Sequence, residues 1–523
     1  FAEKQHFLNS IYERFFQGYS VKIADTHGIV YTPQPIVDFM CASVVEVLQT
    51  EFGKTLGDPD VVILDPATGT GNFIVNLLRR FPRRDLEGAY KERLFANEIM
   101  LLPYYIAALN IEHAYFERTG QYEPFPGLCY VDTLSLEHGL QRQLTGFSEE
   151  NDRRVQRQGE APITVIIGNP PYNVGQQSEN DNNKNRPYKV VDNGIRNSYA
   201  KDSRATLRSQ LYDAYVRFFW WAKDRLGARD GIVCYVTNNS FIDQIAFDGF
   251  RKHLLHDFTQ VYHVDLHGNV RQNPKLSGTT HNVFGIQVGV GITIAIRHAS
   301  HTERKLFYFR VPEDWRKEQK YDWLRQKRHI GGVEWQLLTP DSKDRWLVTA
   351  DSDQFELFMP IGGKETKAAK GSDGRAIFKT FSHGVNSSRD SVVYDFDRQT
   401  LIERIKRFID DFNGEIDRYK RADSQEKQDL DRFVRYENLK WSRNLKAHLK
   451  RFRYAKYVEE EIRIGVYRPF SKRNLYFDDI LIDETGLLSM IFPTPDIEQE
   501  NQAICVSGIS SNKPFQAFMT ACI

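Results

Sequence analysis

Short apolar runs that stop at an acid or at proline recur along the first part of the chain, and between them apolar positions return every three or four residues. Val61-Val62-Ile63-Leu64, Leu94-Phe95-Ala96, Leu128-Cys129-Tyr130-Val131 and Ile163 to Ile167 are nearly unbroken, as strands buried on both faces are. Ile36 to Phe52, Ile74 to Arg80 and Leu211 to Leu226 have helical spacing. Alternation of the two kinds predicts an α/β fold with a mostly parallel sheet. Gly231 to Thr237, Val261 to Leu266 and Val283 to Ile296 complete that sheet, the last being long, β-branched and interrupted by glycine like an antiparallel hairpin partner. Phe7, Leu8, Ile11, Tyr12, Phe15 and Phe16 predict a lead-in helix ahead of it. After about Gly331 the character shifts: Gly362 to Gly374 reads as a linker, and Leu401 to Phe433 as an amphipathic, mixed-charge helical region. The expected division is therefore a lead-in over 1–24, an α/β domain over 25–335 and an α+β region over 336–523.

Open α/β sheets bind ligands at the carboxyl ends of their strands, and three of the predicted strands end there in acids: Asp65, Glu98 and Asp132. Pro66-Ala67-Thr68-Gly69-Thr70-Gly71-Asn72-Phe73 follows the first of them. Gly69 and Gly71 let the backbone turn tightly and approach a ligand. An acid at that point repels a phosphate and suits a cation such as an α-ammonium group, while Glu98 stands at the distance expected of a ribose-hydroxyl acceptor. The third glycine of the dinucleotide-binding pattern is missing, and no phosphate-loop Lys-Ser or Lys-Thr is present. A nucleoside with a cationic tail satisfies the three acids, and that description fits S-adenosylmethionine. Any one of these acids alone is more often a solvated strand end; their order along the chain carries the reading. Upstream, Thr32 is placed to cap the helix from Ile36 with Pro33 in its first turn, which sets Tyr31 and Thr32 beside free N–H groups.

The run ending at Ile167 stops at Gly168-Asn169-Pro170-Pro171-Tyr172. Two consecutive prolines cannot continue a strand, so these residues form a stiff loop at its carboxyl end. Asn169 offers a side-chain carbonyl and Pro170 a backbone carbonyl; two acceptors can hold the two hydrogens of one exocyclic amine while Tyr172 stacks on the ring. The implied substrate is an amino-bearing base taken out of its helix.

Lys plus Arg number 70 against 69 Asp plus Glu, a net charge of +1, so any nucleic-acid surface is local. The five cysteines lack Cys-x-x-Cys or Cys/His spacing, which argues against structural zinc and a disulfide framework; no metal site is expected. With no apolar run of membrane-spanning length, a cytoplasmic protein is expected.

Taken together, Asp65-Pro66-Ala67-Thr68-Gly69-Thr70-Gly71 followed by Asn169-Pro170-Pro171-Tyr172 resembles the amino-group DNA methyltransferases that make N6-methyladenine, in the gamma order with the cofactor motif first. That resemblance implies a Rossmann-like, seven-stranded, mostly parallel methyltransferase sheet and methyl transfer from S-adenosylmethionine to a flipped adenine in double-stranded DNA. Catalytic roles would fall to Asn169, Pro170, Pro171 and Tyr172, and cofactor contacts to Tyr31, Thr32, Pro33, Asp65, Ala67, Gly69, Gly71, Asn72, Phe73, Glu98 and Asp132. Gly28-Ile29-Val30-Tyr31-Thr32-Pro33, Asp265-Leu266-His267-Gly268-Asn269, Ser382-His383-Gly384-Val385-Asn386 with Arg389-Asp390, and Tyr467-Arg468-Pro469-Phe470 resemble more closely the methyltransferase part of single-polypeptide Type ISP restriction-modification enzymes. This implies a nuclease and a motor on the same longer polypeptide or on a partner, and the chain, beginning at Phe1, reads as a piece of such a protein. Neither activity is visible here: the only Pro-Asp with a following Glu-x-Lys, Pro340-Asp341 with Glu365-Thr366-Lys367, has no strand to hold it.

Basic segments supply the DNA-contact candidates. Gln176 to Gln210, with Lys184 and Arg186, is polar and is expected to order when DNA arrives. Arg271 and Lys275 follow His267-Gly268-Asn269 at the same end of the sheet. Lys440 to Lys456 contains Lys446, Lys450 and Arg453 and no acid, with aromatics interleaved. Two rival readings stay open: an inactive specificity or scaffold subunit, and an amino-methyltransferase acting on cytosine N4, RNA or protein glutamine.

Overall fold

The computed structural model describes residues 32–136, 148–171, 188–205, 208–269, 279–348, 357–363, 375–378, 380–423, 427, 430–436, 438–467, 471–494, 501–507 and 516–523. They divide into two compact units near residue 349.

The first unit is built on a nine-stranded sheet. Its strands are β1 Ile63–Asp65, β2 Leu94–Glu98, β3 Leu128–Tyr130, β4 Val165–Gly168, β5 Gly231–Asn238, β6 Gln260–Asp265, β7 Val290–Arg297, β8 Lys305–Arg310 and β9 Gln336–Leu338, in spatial order β3-β2-β1-β4-β5-β7-β6-β8-β9. β1 lies parallel between β2 and β4, with Ile63 opposite both Leu94 and Val165. β5 runs parallel to β4, and β7 inserts antiparallel between β5 and β6. The expected seven strands are all present, and β8 and β9 extend the sheet beyond β6. β9 escapes a search for apolar runs because it is an edge strand with Gln336 and Leu337 exposed. Its pairing, and Trp346 at 1% exposure, carry this unit past the boundary expected at 335.

Strand alternation distributes the core to both faces. Ile63, Val165 and Ile167 point into one apolar cluster, shared with the helices Gln34–Phe52, Asn72–Arg80 and Leu101–Thr119. Leu64 and Ile166 point into the other, shared with Ala214–Leu226 and Asp248–Asp257. Burial on both faces is why these strands read as unbroken apolar runs. β7 starts at Val290 and not at Val283, because buried Asn282 holds the intervening turn: its Oδ1 accepts from the N–H of Phe284 at 2.8 Å, and its Nδ2 donates to the Val288 carbonyl at 2.6 Å.

The segment after Asn169-Pro170-Pro171 departs from expectation. From Tyr188 it is helical, over Lys189–Asn197 and Tyr199–Asp202, with Val191, Ile195 and Tyr199 buried. Gly194 lies against Trp220 so closely that a Cβ would stand 1.9 Å from the ring. Arg204 and Arg208 donate to the carbonyls of Ser342 and Ser203, each at 2.8 Å. Over 188–205, then, the chain is packed structure rather than a loop waiting for DNA; a glycine and aromatics meeting in space supplied a core that the polar sequence hid.

The second unit has its own core. The helix Arg398–Arg421, capped by Asp397 accepting from Thr400 N–H at 2.7 Å, buries Leu401, Ile405, Phe408, Phe412 and Ile416. Its neighbour is a three-stranded sheet of β10 Tyr394–Asp395, β11 Ile462–Val466 and β12 Lys472–Tyr476, with β12 central. A hairpin of β13 Ala503–Val506 and β14 Ala517–Thr520 completes an α+β region. No helix among the described residues is long and apolar enough to cross a membrane.

Candidate active site

Because β1, β2, β4 and β5 run parallel, Asp65, Glu98, Asn169 and Asn238 emerge at one edge of the sheet. The glycine loop leaves β1 there. Gly69 and Gly71 have φ of 56° and 87°, a region that favours glycine. A Cβ on Gly71 would stand 3.0 Å from Ile111 Cγ1. The loop is held from outside: Thr68 N–H donates to the Asn97 carbonyl at 2.9 Å, Asn110 Nδ2 to the Thr70 carbonyl at 2.9 Å, and Thr133 Oγ1 to the Pro66 carbonyl at 2.6 Å. Asn72 opens the following helix, whereas Phe73, 2% exposed, packs in the core cluster. The side chain of Phe73, the second residue of that helix, therefore packs in the core.

Glu98 braces the loop from β2: Gly69 N–H donates to its Oε2 at 2.9 Å and Met100 N–H to its Oε1 at 2.8 Å. Burial pushes the Glu98 carboxyl up to about 7 against those two donors. Asp65 is wholly buried; Ala67 N–H donates to its Oδ1 at 3.2 Å, the neighbouring Thr68 hydroxyl favours its charged form, and its Oδ2 makes no hydrogen bond of ordinary geometry. Its carboxyl is also pushed up to about 7, chiefly by burial, with the Glu98 charge adding to the effect. Beyond β3, Asp132 accepts from Leu134 N–H at 3.2 Å, from the Ser135 hydroxyl at 3.0 Å and from the Tyr188 hydroxyl at 3.2 Å. Tyr188 is a residue the sequence did not single out: it ties the helical segment to the third acid, with Arg217 5.3 Å above its ring and Arg217 in turn paired to Asp192 at 2.8 Å.

Asn169 closes the site. Its Nδ2 donates to Thr32 Oγ1 at 3.1 Å, and its Oδ1 is buried with no partner. Thr32 thus does not cap the helix. Pro33 holds the N-cap position, with no side-chain cap bond, and its carbonyl accepts from Ile36 and Val37; the Thr32 hydroxyl is engaged by a residue 137 positions away. Pro170 is buried and Pro171 half-buried. Tyr31, Tyr172, Lys184, Arg186, Arg271 and Lys275 lie outside the described residues.

This edge of the sheet thus gathers buried side-chain oxygens of Asp65 and Asn169 without ordinary hydrogen bonds, three carboxylates that accept backbone N–H groups, Asp65, Glu98 and Asp132, and two left-handed glycines. Two family models match the chain: N-6 DNA Methylase over residues 3–205, and the Type ISP C-terminal specificity domain over 376–523. The chain is an N-6 DNA methylase domain joined to a Type ISP specificity domain. Solved structures agree. In the cryo-EM structure of a DrdV–DNA complex the similar chain has 37% identity and a TM-score of 0.87, over 100% of this chain and 50% of that one. LlaBIII, an ATP-dependent Type ISP restriction-modification enzyme bound to DNA, gives 32% and 0.82 over 94% and 33%. A nuclease-deletion mutant of the Type ISP enzyme LlaGI, in complex with a DNA substrate mimic, gives 31% and 0.87 over 99% and 42%. The chain thus spans half or less of the length of these relatives. No curated protein matches it.

In the specificity domain, the basic segment is less free than its sequence suggests. Lys446 pairs with Asp431 at 2.5 Å and also donates to the Tyr436 hydroxyl at 2.8 Å; Arg453 pairs with Asp479 at 2.7 Å. Lys450 is exposed at the end of its helix. Of the kinship motifs, Arg389 is structural: it is 1% exposed and donates to Ser442 Oγ at 2.6 Å and to Asp483 Oδ1 at 3.1 Å. In the methylase domain, Asp265 accepts from the Tyr308 hydroxyl and from Arg310 Nε, each at 2.9 Å, and anchors the turn through His267 and Gly268, whose φ values are 53° and 89°.

Proposed function

We propose that the chain methylates the N6 amine of adenine within a specific sequence of double-stranded DNA, using S-adenosylmethionine, as the modification module of a restriction-modification protein. The observation that carries this is Asn169: a buried side-chain carbonyl without a partner, beside the Pro170 backbone carbonyl, at the end of β4. S-adenosylmethionine, when bound, supplies an electrophilic methyl group on a sulfonium. Its fit rests on the open acceptor of Asp65 for a cation, on Glu98 and Asp132 for hydroxyls and adenine, and on Gly69 and Gly71 for close backbone approach, with Tyr31, Thr32, Pro33, Ala67 and Asn72 alongside.

With its Nδ2 donating to Thr32 Oγ1, Asn169 leaves its side-chain oxygen for an amine donor. Two carbonyls, from Asn169 and Pro170, then hold the two amine hydrogens of a flipped adenine and draw the nitrogen toward a tetrahedral, more nucleophilic geometry. Pro170-Pro171 keeps the pair rigid, so little orientation entropy is lost in the step, and Tyr172 stacks on the ring. The Asn169 and Pro170 oxygens favour the cationic amine as charge develops, and its proton passes to solvent. The order of the motifs and the N-6 family match support adenine over cytosine N4 in this reading. Nuclease and motor functions belong, in this reading, to the rest of a longer polypeptide or to a partner, and the protein works in the cytoplasm, where its DNA lies. The test is mass spectrometry of nucleosides after incubation with S-adenosylmethionine and mixed-sequence DNA: N6-methyladenine is expected, and N4-methylcytosine or unmodified DNA refutes the assignment.

A further inference from the structure

Two sequence stretches that the methylase reading leaves without a role, Asn386 with Arg389-Asp390 and Tyr467 of Tyr467-Arg468-Pro469-Phe470, meet in the specificity domain. They line one cavity of about 810 Å³, together with Arg473 of β12, the central strand of its sheet, and Lys440. Arg473 is the unusual member. Its guanidinium lies 4.2 Å from the Phe396 ring centroid and 4.0 Å from that of Tyr467, held between two aromatics. It has no carboxylate partner among the described residues, and its Nε is buried without a hydrogen bond. The other cavity arginines differ: Arg389 is tied to Asp483, and Arg404 to Asp395.

An arginine held between two rings has lost its rotamer freedom and presents a flat fork of N–H donors. Such a fork fits two acceptors in one plane, and in the major groove that pair is O6 and N7 of guanine. Charge alone does not choose between a base and a phosphate, since Arg389, Arg404, Lys440 and Arg473 outnumber Asp390 and Asp395 in the lining, but an all-acceptor phosphate leaves the two aspartates without a donor. Base edges, in contrast, carry donors and acceptors together, which a lining of arginine, aspartate and asparagine matches. We propose that Arg473 is a specificity-determining residue that reads a guanine of the target DNA through this cavity. The inference rests on the proposed function, since it presumes a sequence-specific DNA substrate.

The test selects bound duplexes from a randomised pool with the full chain and sequences them, a readout that needs no methyl transfer. Wild type is expected to enrich one sequence with a guanine at one position. Arg473→Gln should lose that preference by about 10- to 100-fold at that position alone, leaving the other positions and the salt dependence of binding as they were. Arg473→Lys, which keeps the charge and the apolar stem between the rings but not the fork, should lose it as well, and it decides the matter if Arg473→Gln no longer melts cooperatively. Uniform weakening of all sequences with a salt slope lower by about one unit would mean a phosphate contact; unchanged selection by both variants would mean packing only; full preference in Arg473→Lys would exclude reading by the fork. Each of these overturns the proposal while leaving the methylase reading intact. A wild type that methylates and binds DNA with no sequence preference removes the specific-substrate reading along with it.

Discussion

Asn169→Ala separates function from stability by sign. The substitution removes one hydrogen bond, Nδ2 to Thr32 Oγ1 at 3.1 Å, which contributes about 1 kcal/mol to the fold. It also removes a buried acceptor that has no partner, and such a group costs about 1–3 kcal/mol in the folded state. The two effects offset, so the unfolding free energy should stay within about 1 kcal/mol of wild type or rise slightly. Activity should move far more, because the lost carbonyl acts on the amine as charge develops; removing one such preorganised group lowers the rate by about 10²–10³-fold. Single-turnover transfer of labelled methyl to DNA, thermal melting and cofactor calorimetry on the same preparation measure the three quantities. Cofactor affinity should hold, since the acceptor faces the base. A variant that keeps activity within about tenfold, or whose cofactor affinity falls as far as its rate, would show that Asn169 is not the amine acceptor.

Asp65→Ala should weaken S-adenosylmethionine binding by about 1–3 kcal/mol, and Gly71→Val should abolish it, because φ is 87° there, which a β-branched residue does not adopt without strain, and a Cβ would press on Ile111 at 3.0 Å; unchanged calorimetry for both removes the cofactor assignment. Glu98 has a folded pKa raised from 4.5 to about 7, so its contribution to the stability of the unliganded protein is complete below about pH 4.5 and is lost as pH rises through 7. Hydroxyls donating to its ionised form reverse that preference, so cofactor binding should release a proton near neutrality and tighten by up to about tenfold from pH 6 to 7. Calorimetry in two buffers of different ionisation enthalpy should show this release, and Glu98→Gln should reduce it to the share contributed by Asp65, whose carboxyl is also raised to about 7; a release in Glu98→Gln equal to that of the wild type contradicts the role. Replacing Lys446, Lys450 and Arg453 together with Ala should lower the slope of log DNA affinity against log salt by about one unit, because two of the three already have carboxylate partners. A fall of about three would show those pairs opening onto phosphate, and no change would place the DNA elsewhere.

What the sequence determined by itself is what depends on neighbours along the chain. Asp65 with Gly69 and Gly71, Glu98 at a strand end, and the break from Ile167 into Asn169-Pro170-Pro171 are covalently local: a doubly buried strand needs an apolar run, a left-handed turn needs glycine, and two prolines end pairing. Seven strands and the residues at their carboxyl ends were therefore legible in the sequence. Tertiary structure decided whatever depends on partners far apart in sequence. Thr32 reads as a helix cap until Asn169 arrives to bind it, and Tyr188 is one more aromatic in a polar stretch until it meets Asp132. Lys440 to Lys456 contains no acid, yet Asp431 and Asp479 come from outside it to pair with Lys446 and Arg453. Arg473 acquires its meaning only between Phe396 and Tyr467. Backbone preference is local and can be read residue by residue, whereas the partner of a polar side chain is chosen by how the chain packs.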